Sequence, residues 1–218
     1  MNYAEGWLLD AVHDSRTRLD QLVSPDIRAL FNMPGHGLSA AAVAFELAEL
    51  ACRGWIEFCD SRNTLVALSE NELRAELERP GRSPIVYGLT VQGGRFWEVE
   101  AEADWSRFVY SSSIDEDDAG RNLEVVCADG TRARDWLALR RSAPSPMTIE
   151  THAEIWDVRE PIEATYWKTL TRGHRVRYRE SKPPPKIVSS CSVVRREWDA
   201  WKSRYEAFTC WKRDLYAP

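Results

Sequence analysis

No stretch of the chain approaches the run of roughly 18 apolar residues that a membrane-spanning helix needs. Its opening residues, Met1 to Trp7, lack a basic segment followed by an apolar one, so no secretory leader is expected. Cysteine is scarce: Cys52, Cys59, Cys127, Cys191 and Cys210 are odd in number, scattered, and form no Cys-x-x-Cys pair. That excludes a zinc-ribbon pattern, argues against a disulfide framework, and fits reduced thiols in a cytoplasm. Catalytic signatures are missing too. The four histidines (His13, His36, His152, His174) are dispersed, and neither a Gly-x-Ser-x-Gly elbow nor a phosphate-binding Gly-x-x-x-x-Gly-Lys loop occurs. Asp115-Glu116-Asp117-Asp118 lacks the alternating oxygen ligands and closing Glu of a calcium loop, so it reads as solvated linker. Gly93-Gly94 at a helix start could hold an anion, but without a partner Lys or third Gly it reads as a turn requirement. His36, between two glycines, reads as a surface turn residue. No cofactor or metal is expected, and an enzyme ranks behind binding roles.

What is present is an ordinary globular composition of 218 residues, 44% hydrophobic and 29% charged, with ten Trp. Large aromatics bury much area at little rotamer cost, so core packing is the expected use of most of them. The net charge of −5 is uneven. Residues 1–80 carry 7 basic and 13 acidic side chains, residues 81–150 carry 8 and 12, and residues 151–218 carry 14 and 9. An acidic body with a basic end is a statement about partners rather than about fold.

Along the first half, Trp7, Leu8, Ala11, Val12, Leu19 and Leu22 recur at roughly helical spacing, with a break or bend near Asp14 to Thr17. Ser24-Pro25-Asp26 starts a short second helix, and Ser39 can cap a third reaching Arg53, with Gly54 at its C-cap. Two β-prone runs, Trp55 to Cys59 and Thr64 to Leu68, flank the polar turn Asp60-Ser61-Arg62-Asn63, and Ser69-x-x-Glu72 opens a further helix. Arg53-Gly54-Trp55-Ile56, a turn with Arg62, then Leu65-Val66-Ala67-Leu68-Ser69 resembles the third-helix-to-wing passage of MarR-type winged-helix regulators. Tyr87-Gly88-Leu89-Thr90-x-x-Gly93 is similar to the wing-to-helix step of PadR-type proteins. The resemblance covers residues 4–105 and implies a winged-helix-type domain; an unrelated small α+β domain is the alternative. It also implies DNA binding, which the residues oppose. The groove-entering helix, Ser39 to Cys52, has no basic residue and carries Glu46 and Glu49, whereas bases are read mainly by Arg, Lys, Asn and Gln.

The expected organisation is α+β: a winged-helix-type domain over 1–110, an acidic linker or loop over 111–121, and a smaller mixed domain over 122–218. In the last, Leu123 to Cys127 and Thr148 to Val158 read as strands, Asp135 to Leu139 and Ala164 to Leu170 as helices, Arg175 to Tyr178 as extended, and Pro183-Pro184-Pro185 as a stiff spacer. Arg195 to Trp211 closes as a helix with an aromatic stripe of Trp198, Trp201, Tyr205, Phe208 and Trp211. The candidate site is the basic run Arg172, His174, Arg175, Arg177, Tyr178, Arg179, Lys182 and Lys186. Aromatics among cations can stack bases and meet phosphates. The same run could instead meet an acidic protein, or pair with the chain's own acidic N-terminal half. The functional expectation is a non-catalytic, cytoplasmic protein-interaction factor, of adaptor or immunity type. The alternative is a regulator that holds nucleic acid through the basic run.

Overall fold

The computed structural model describes residues 1–79, 81–144, 148–150, 154–182 and 192–216, with backbone only for 192–194. The fold mixes helices with antiparallel sheets and divides into two units. The first comprises residues 1–103, 165–168 and 213–218; the second comprises 104–164 and 169–212.

The first unit begins with α1 (Tyr3–Asp10), which starts where Asn2 and Glu5 form a reciprocal capping box. Trp7, Leu8 and Leu9 are fully buried, and the helix ends at Asp10, ahead of the break or bend expected near Asp14 to Thr17. Leu19 and Leu22 reach the same core from a 3-10 turn, Leu19–Val23, after the short strand β1 (Thr17–Arg18). A core demands apolar side chains, not one continuous helix, so the spacing overstated that helix. Next come α2 (Ile27–Phe31) and α3 (Ala40–Cys52). The Ser39 hydroxyl accepts the Ala42 N–H, and Val43, Ala44, Leu47 and Leu50 face inward. Gly54, at φ +72°, takes the left-handed conformation that closes a helix cheaply only for glycine.

Strands β2 (Ile56–Cys59) and β3 (Leu65–Val66) pair antiparallel, Phe58 with Val66 and Cys59 with Leu65. The Asp60 carboxylate ties their turn by accepting the N–H groups of Arg62 and Thr64. After α4 (Glu70–Leu77), strand β4 (Val86–Leu89) returns between β1 and β2, giving the order β1-β4-β2-β3. Helix α5 (Val91–Glu100) is capped by Thr90. Gly93 there is a matter of close packing: a Cβ on it would lie 1.7 Å from the Trp55 carbonyl oxygen. His36 is buried rather than a surface residue. Its Nε2 meets the Leu22 carbonyl at 2.8 Å, its Nδ1 accepts the Leu38 N–H, and its ring packs edge-on against Trp7.

The second unit is a five-stranded antiparallel sheet with helices on one face. Strands β5 (Val109–Glu116) and β6 (Gly120–Cys127) form a hairpin, so the stretch 111–121 is not a linker. The Asp117 carboxylate accepts the Ala119 and Gly120 N–H groups and makes the turn, while Asp115 and Glu116 sit opposite Asn122 and Arg121. Polar, acidic residues suit a hairpin whose outer strand faces water on both sides. Helix α6 (Gly130–Arg141) follows, held by the Asp129 cap. Over the single strand expected at 148–158 the structure describes two separate strands, β7 (Thr148–Ile149) and β8 (Ile155–Arg159), which pair with β11 in different registers.

The segment 164–170, expected as helix, is instead the turn and return of a small hairpin, β9 (Ile162–Glu163) with β10 (Thr169–Leu170). Strand β11 (Gly173–Ser181) then occupies the sheet centre in the order β5-β6-β11-β7, with β8 also on β11 beside β7. Helix α7 (Ser192–Thr209) closes the unit and stops two residues before Trp211. The core gathers Val109, Leu123, Val125, Cys127, Val176 and Tyr178 from the sheet and Ala133, Trp136 and Leu137 from α6, with Tyr205 and Phe208 of α7 packed against it. The aromatic stripe of α7 thus serves mainly as core. The proline spacer 183–185 lies outside the described residues.

Candidate binding surfaces of the second unit

Strand β11 alternates strictly. Val176, Tyr178 and Glu180 point into the core, and Arg175, Arg177 and Arg179 point to the face opposite α6. Sequence proximity had grouped all of them into one basic run; the pleat separates them. Tyr178 is 2% exposed, and its hydroxyl accepts the Trp136 indole N–H at 3.1 Å. Burial pushes its phenol above the ordinary range. It is therefore a core residue with no face to offer a nucleobase. His174 is half-buried, with its ring packed near Gly130 at the start of α6.

The described cations of the run all face carboxylates. Arg172 Nε lies 3.0 Å from Glu160, and Arg175 reaches Asp157 at 2.6 Å and Glu124 at 3.7 Å. Arg177 meets Glu124 at 2.8 Å. Arg179 holds Asp117 with contacts of 2.7 and 2.8 Å and lies 3.6 Å from Glu150. Lys182 meets Glu116 at 3.1 Å. Five cations thus meet six carboxylates, all drawn from residues 116–160 rather than from the N-terminal half. Lys186 lies outside the described residues. The hydrogen bond from Arg175 holds Asp157 below the usual carboxylate range, and that from Arg179 does the same for Asp117. Pairs at or near the surface such as these contribute little to stability. Their effect is on the field: a phosphate backbone approaching this face meets a neutralised lattice rather than a basic stripe.

A second feature of the same sheet was not visible in the basic run. Strand β8 lies at the sheet edge, and Ile155, Trp156 and Val158 are 63%, 42% and 46% exposed. Trp156 and Trp198 are the most exposed of the Trp side chains, at 42% and 38%. Register places Ile155 and Asp157 opposite Arg177 and Arg175 on the arginine face, and Trp156 opposite Val176 on the face of the core. Three exposed apolar side chains thus lie within four residues of one edge strand. Its only sequence signal was the composition Ile-Trp-Asp-Val-Arg before Glu-Pro, which reads equally well as an internal strand.

Elsewhere, the clefts offer little chemistry. One of about 360 Å³ in the first unit is lined by Leu22, Ile27, His36, Leu38 and Leu77, among others, and both nitrogens of its histidine are already engaged. Among the described residues no group of three or more His, Cys, Asp or Glu is placed to hold a metal ion, and no helix is long and apolar enough to cross a membrane. No family model matches the chain, and neither a curated protein nor a solved structure matches it.

Proposed function

We propose that this chain is a non-catalytic protein-interaction factor, of adaptor or immunity type and working in the cytoplasm, that binds through the exposed edge of β8. The observation that carries the reading is the contrast on one sheet: the cations already face carboxylates, whereas Ile155, Trp156 and Val158 lie in water on an edge strand. Apolar side chains exposed beside unpaired backbone groups favour a protein partner. The first unit is read as a winged-helix-type domain with β4 inserted between β1 and β2. Support comes from α3 followed directly by the β2–β3 hairpin. Its α3 offers no cation, and Glu46 and Glu49 would face phosphates, so the domain serves as scaffold rather than as DNA reader.

The test sets protein against nucleic acid. A photo-crosslinking residue at Trp156 is expected to give discrete protein adducts, while the unmodified chain leaves the anisotropy of generic duplex DNA and single-stranded RNA flat at low salt. A triple variant, Asp117→Asn, Glu124→Gln and Asp157→Asn, should unmask binding that falls steeply with salt, with a logarithmic slope near −0.9 per duplex phosphate contact. Salt-steep binding by the unmodified chain, abolished by Arg175→Glu with Arg177→Glu, would overturn the reading in favour of a nucleic-acid role.

A further inference from the structure

We infer that two copies of this chain pair through β8, antiparallel about a two-fold axis at Val158, joining two five-stranded sheets edge to edge. The inference rests on the reading of β8 as a protein-binding edge and names the occupant.

The backbone comes first. The Arg179 carbonyl accepts from the Glu150 N–H, and the Lys182 N–H donates to the Ala119 carbonyl. Along β11, odd-numbered residues therefore bond toward β7 and β8, and even-numbered ones toward β6. Since Arg159, Asp157 and Ile155 sit opposite Gly173, Arg175 and Arg177, their backbone groups are engaged with β11. The N–H and C=O groups of Trp156 and Val158 then point to the open edge, where no described strand lies.

Charge selects the register. A two-fold axis perpendicular to the sheet keeps each side chain on its own face, so only like-parity residues can oppose each other. An axis at Asp157 sets two carboxylates directly opposite, which is unfavourable. An axis at Trp156 places Ile155 against Asp157 of the other copy, so neither Asp157 nor Arg159 meets an opposite charge. An axis at Val158 pairs Val158 with itself through two outward hydrogen bonds and sets Asp157 against Arg159 twice. Within one copy Arg159 already meets Asp157 at 2.7 Å and Arg175 meets it at 2.6 Å, so this register extends an existing ion-pair cluster across the edge instead of opposing like charges.

The opposite edge of the sheet differs. Strand β5 carries Ser111, Ser112 and Ser113, a register shift between Ser113 and Asp115, and acidic residues at its end, devices that blunt an edge. Strand β8 has no shift against β11 over its length, and its charges attract their own symmetry mates. An interface of one strand pair falls at the weak end for proteins, so the association is concentration-dependent.

Sedimentation of the intact chain across a concentration series tests this. The weight-average mass is expected to rise from 25.0 kDa toward twice that. Val158→Lys, which opposes two ammonium groups at the axis, and Arg159→Glu, which turns both ion pairs into repulsions, should each weaken association at least about tenfold, with far-UV dichroism unchanged. Val158→Cys should give, on mild oxidation, a cross-linked peptide joining the two copies at position 158, since hydrogen-bonded cross-strand Cα atoms about 5.5 Å apart fall within disulfide reach. A dimer that survives both charge variants, or that yields no such peptide, would refute β8 pairing. If the intact chain is monomeric throughout but Trp156 crosslinks to another protein, self-pairing fails and the protein-binding reading stands. If neither occurs, both fail.

Discussion

Replacing Glu180 by Gln tests the account of how the second unit holds together. Glu180 is 2% exposed, and its two oxygens are divided between two guanidinium groups. Oε2 accepts from Arg121 Nε at 3.0 Å and Nη2 at 2.8 Å; Oε1 accepts from Arg140 Nε at 3.1 Å and Nη2 at 2.6 Å. A glutamine keeps one acceptor oxygen and turns an amide donor toward the other guanidinium. Removing one partner of a buried ion pair typically costs 3–5 kcal/mol, because the remaining charge is left uncompensated. The Arg121 side chain is 35% exposed and can turn to water, whereas that of Arg140 is 17% exposed and retains most of its penalty. The expected loss is therefore about 2–4 kcal/mol, measured by urea denaturation followed through tryptophan fluorescence. Hydrogen exchange over 120–127 and 173–181 should place the loss in this sheet. Replacing both ends by apolar side chains, Glu180→Leu with Arg140→Met, should cost less than Glu180→Gln alone, since no buried charge is then stranded. A loss below about 0.5 kcal/mol for Glu180→Gln, the range of an exposed pair, would show that Arg140 keeps no stranded charge. So would a double variant at least as unstable as the single one.

Two further predictions follow from packing and burial. Gly93→Ala puts a Cβ against the Trp55 carbonyl oxygen, and backbone on both sides leaves little room to yield. It should cost at least about 3 kcal/mol, the upper range for overpacking, in the same denaturation assay, and a loss under about 1 kcal/mol would count against the close approach. In alkylation at pH 8 with peptide mapping, exposed Cys52 and Cys210 should react while buried Cys59 and Cys127 should not. Burial pushes the Cys127 thiol up to about 12, leaving roughly a thousand-fold less of the reactive thiolate than an unshifted thiol would have. Labelling of native Cys127 at a rate comparable to Cys52 would show that the unit opens.

Local chemistry was legible wherever the cause was local. Ser39 and Ser69 cap their helices, Gly54 closes α3, and the polar turn at Asp60 joins β2 to β3, because each needs only a few neighbouring residues to form. The failures share a different cause. His36 looked like a loop residue because its partners, Leu22 and Trp7, are remote in sequence. The acidic stretch 111–121 looked like linker because its strands find their hydrogen bonds across the hairpin, not in any apolar pattern of their own. The candidate site divided in the same way: the clustering of Arg175, Arg177 and Arg179 was evident, but the carboxylates facing them come from strands β6 and β8, the β5–β6 turn and Glu150 just after β7.

Composition, charge, caps and turns follow from residue order alone, as does the sharing of one strand face by Val176, Tyr178 and Glu180 and of the other by three arginines, since a pleat has period two. Long-range contacts chose which face became the core and where the cancelling carboxylates stand. They also decided that Ile-Trp-Asp-Val-Arg would lie at an edge rather than inside the sheet. Those outcomes depend on strand order and register, which are set by contacts between residues far apart in the chain and have no counterpart in local spacing.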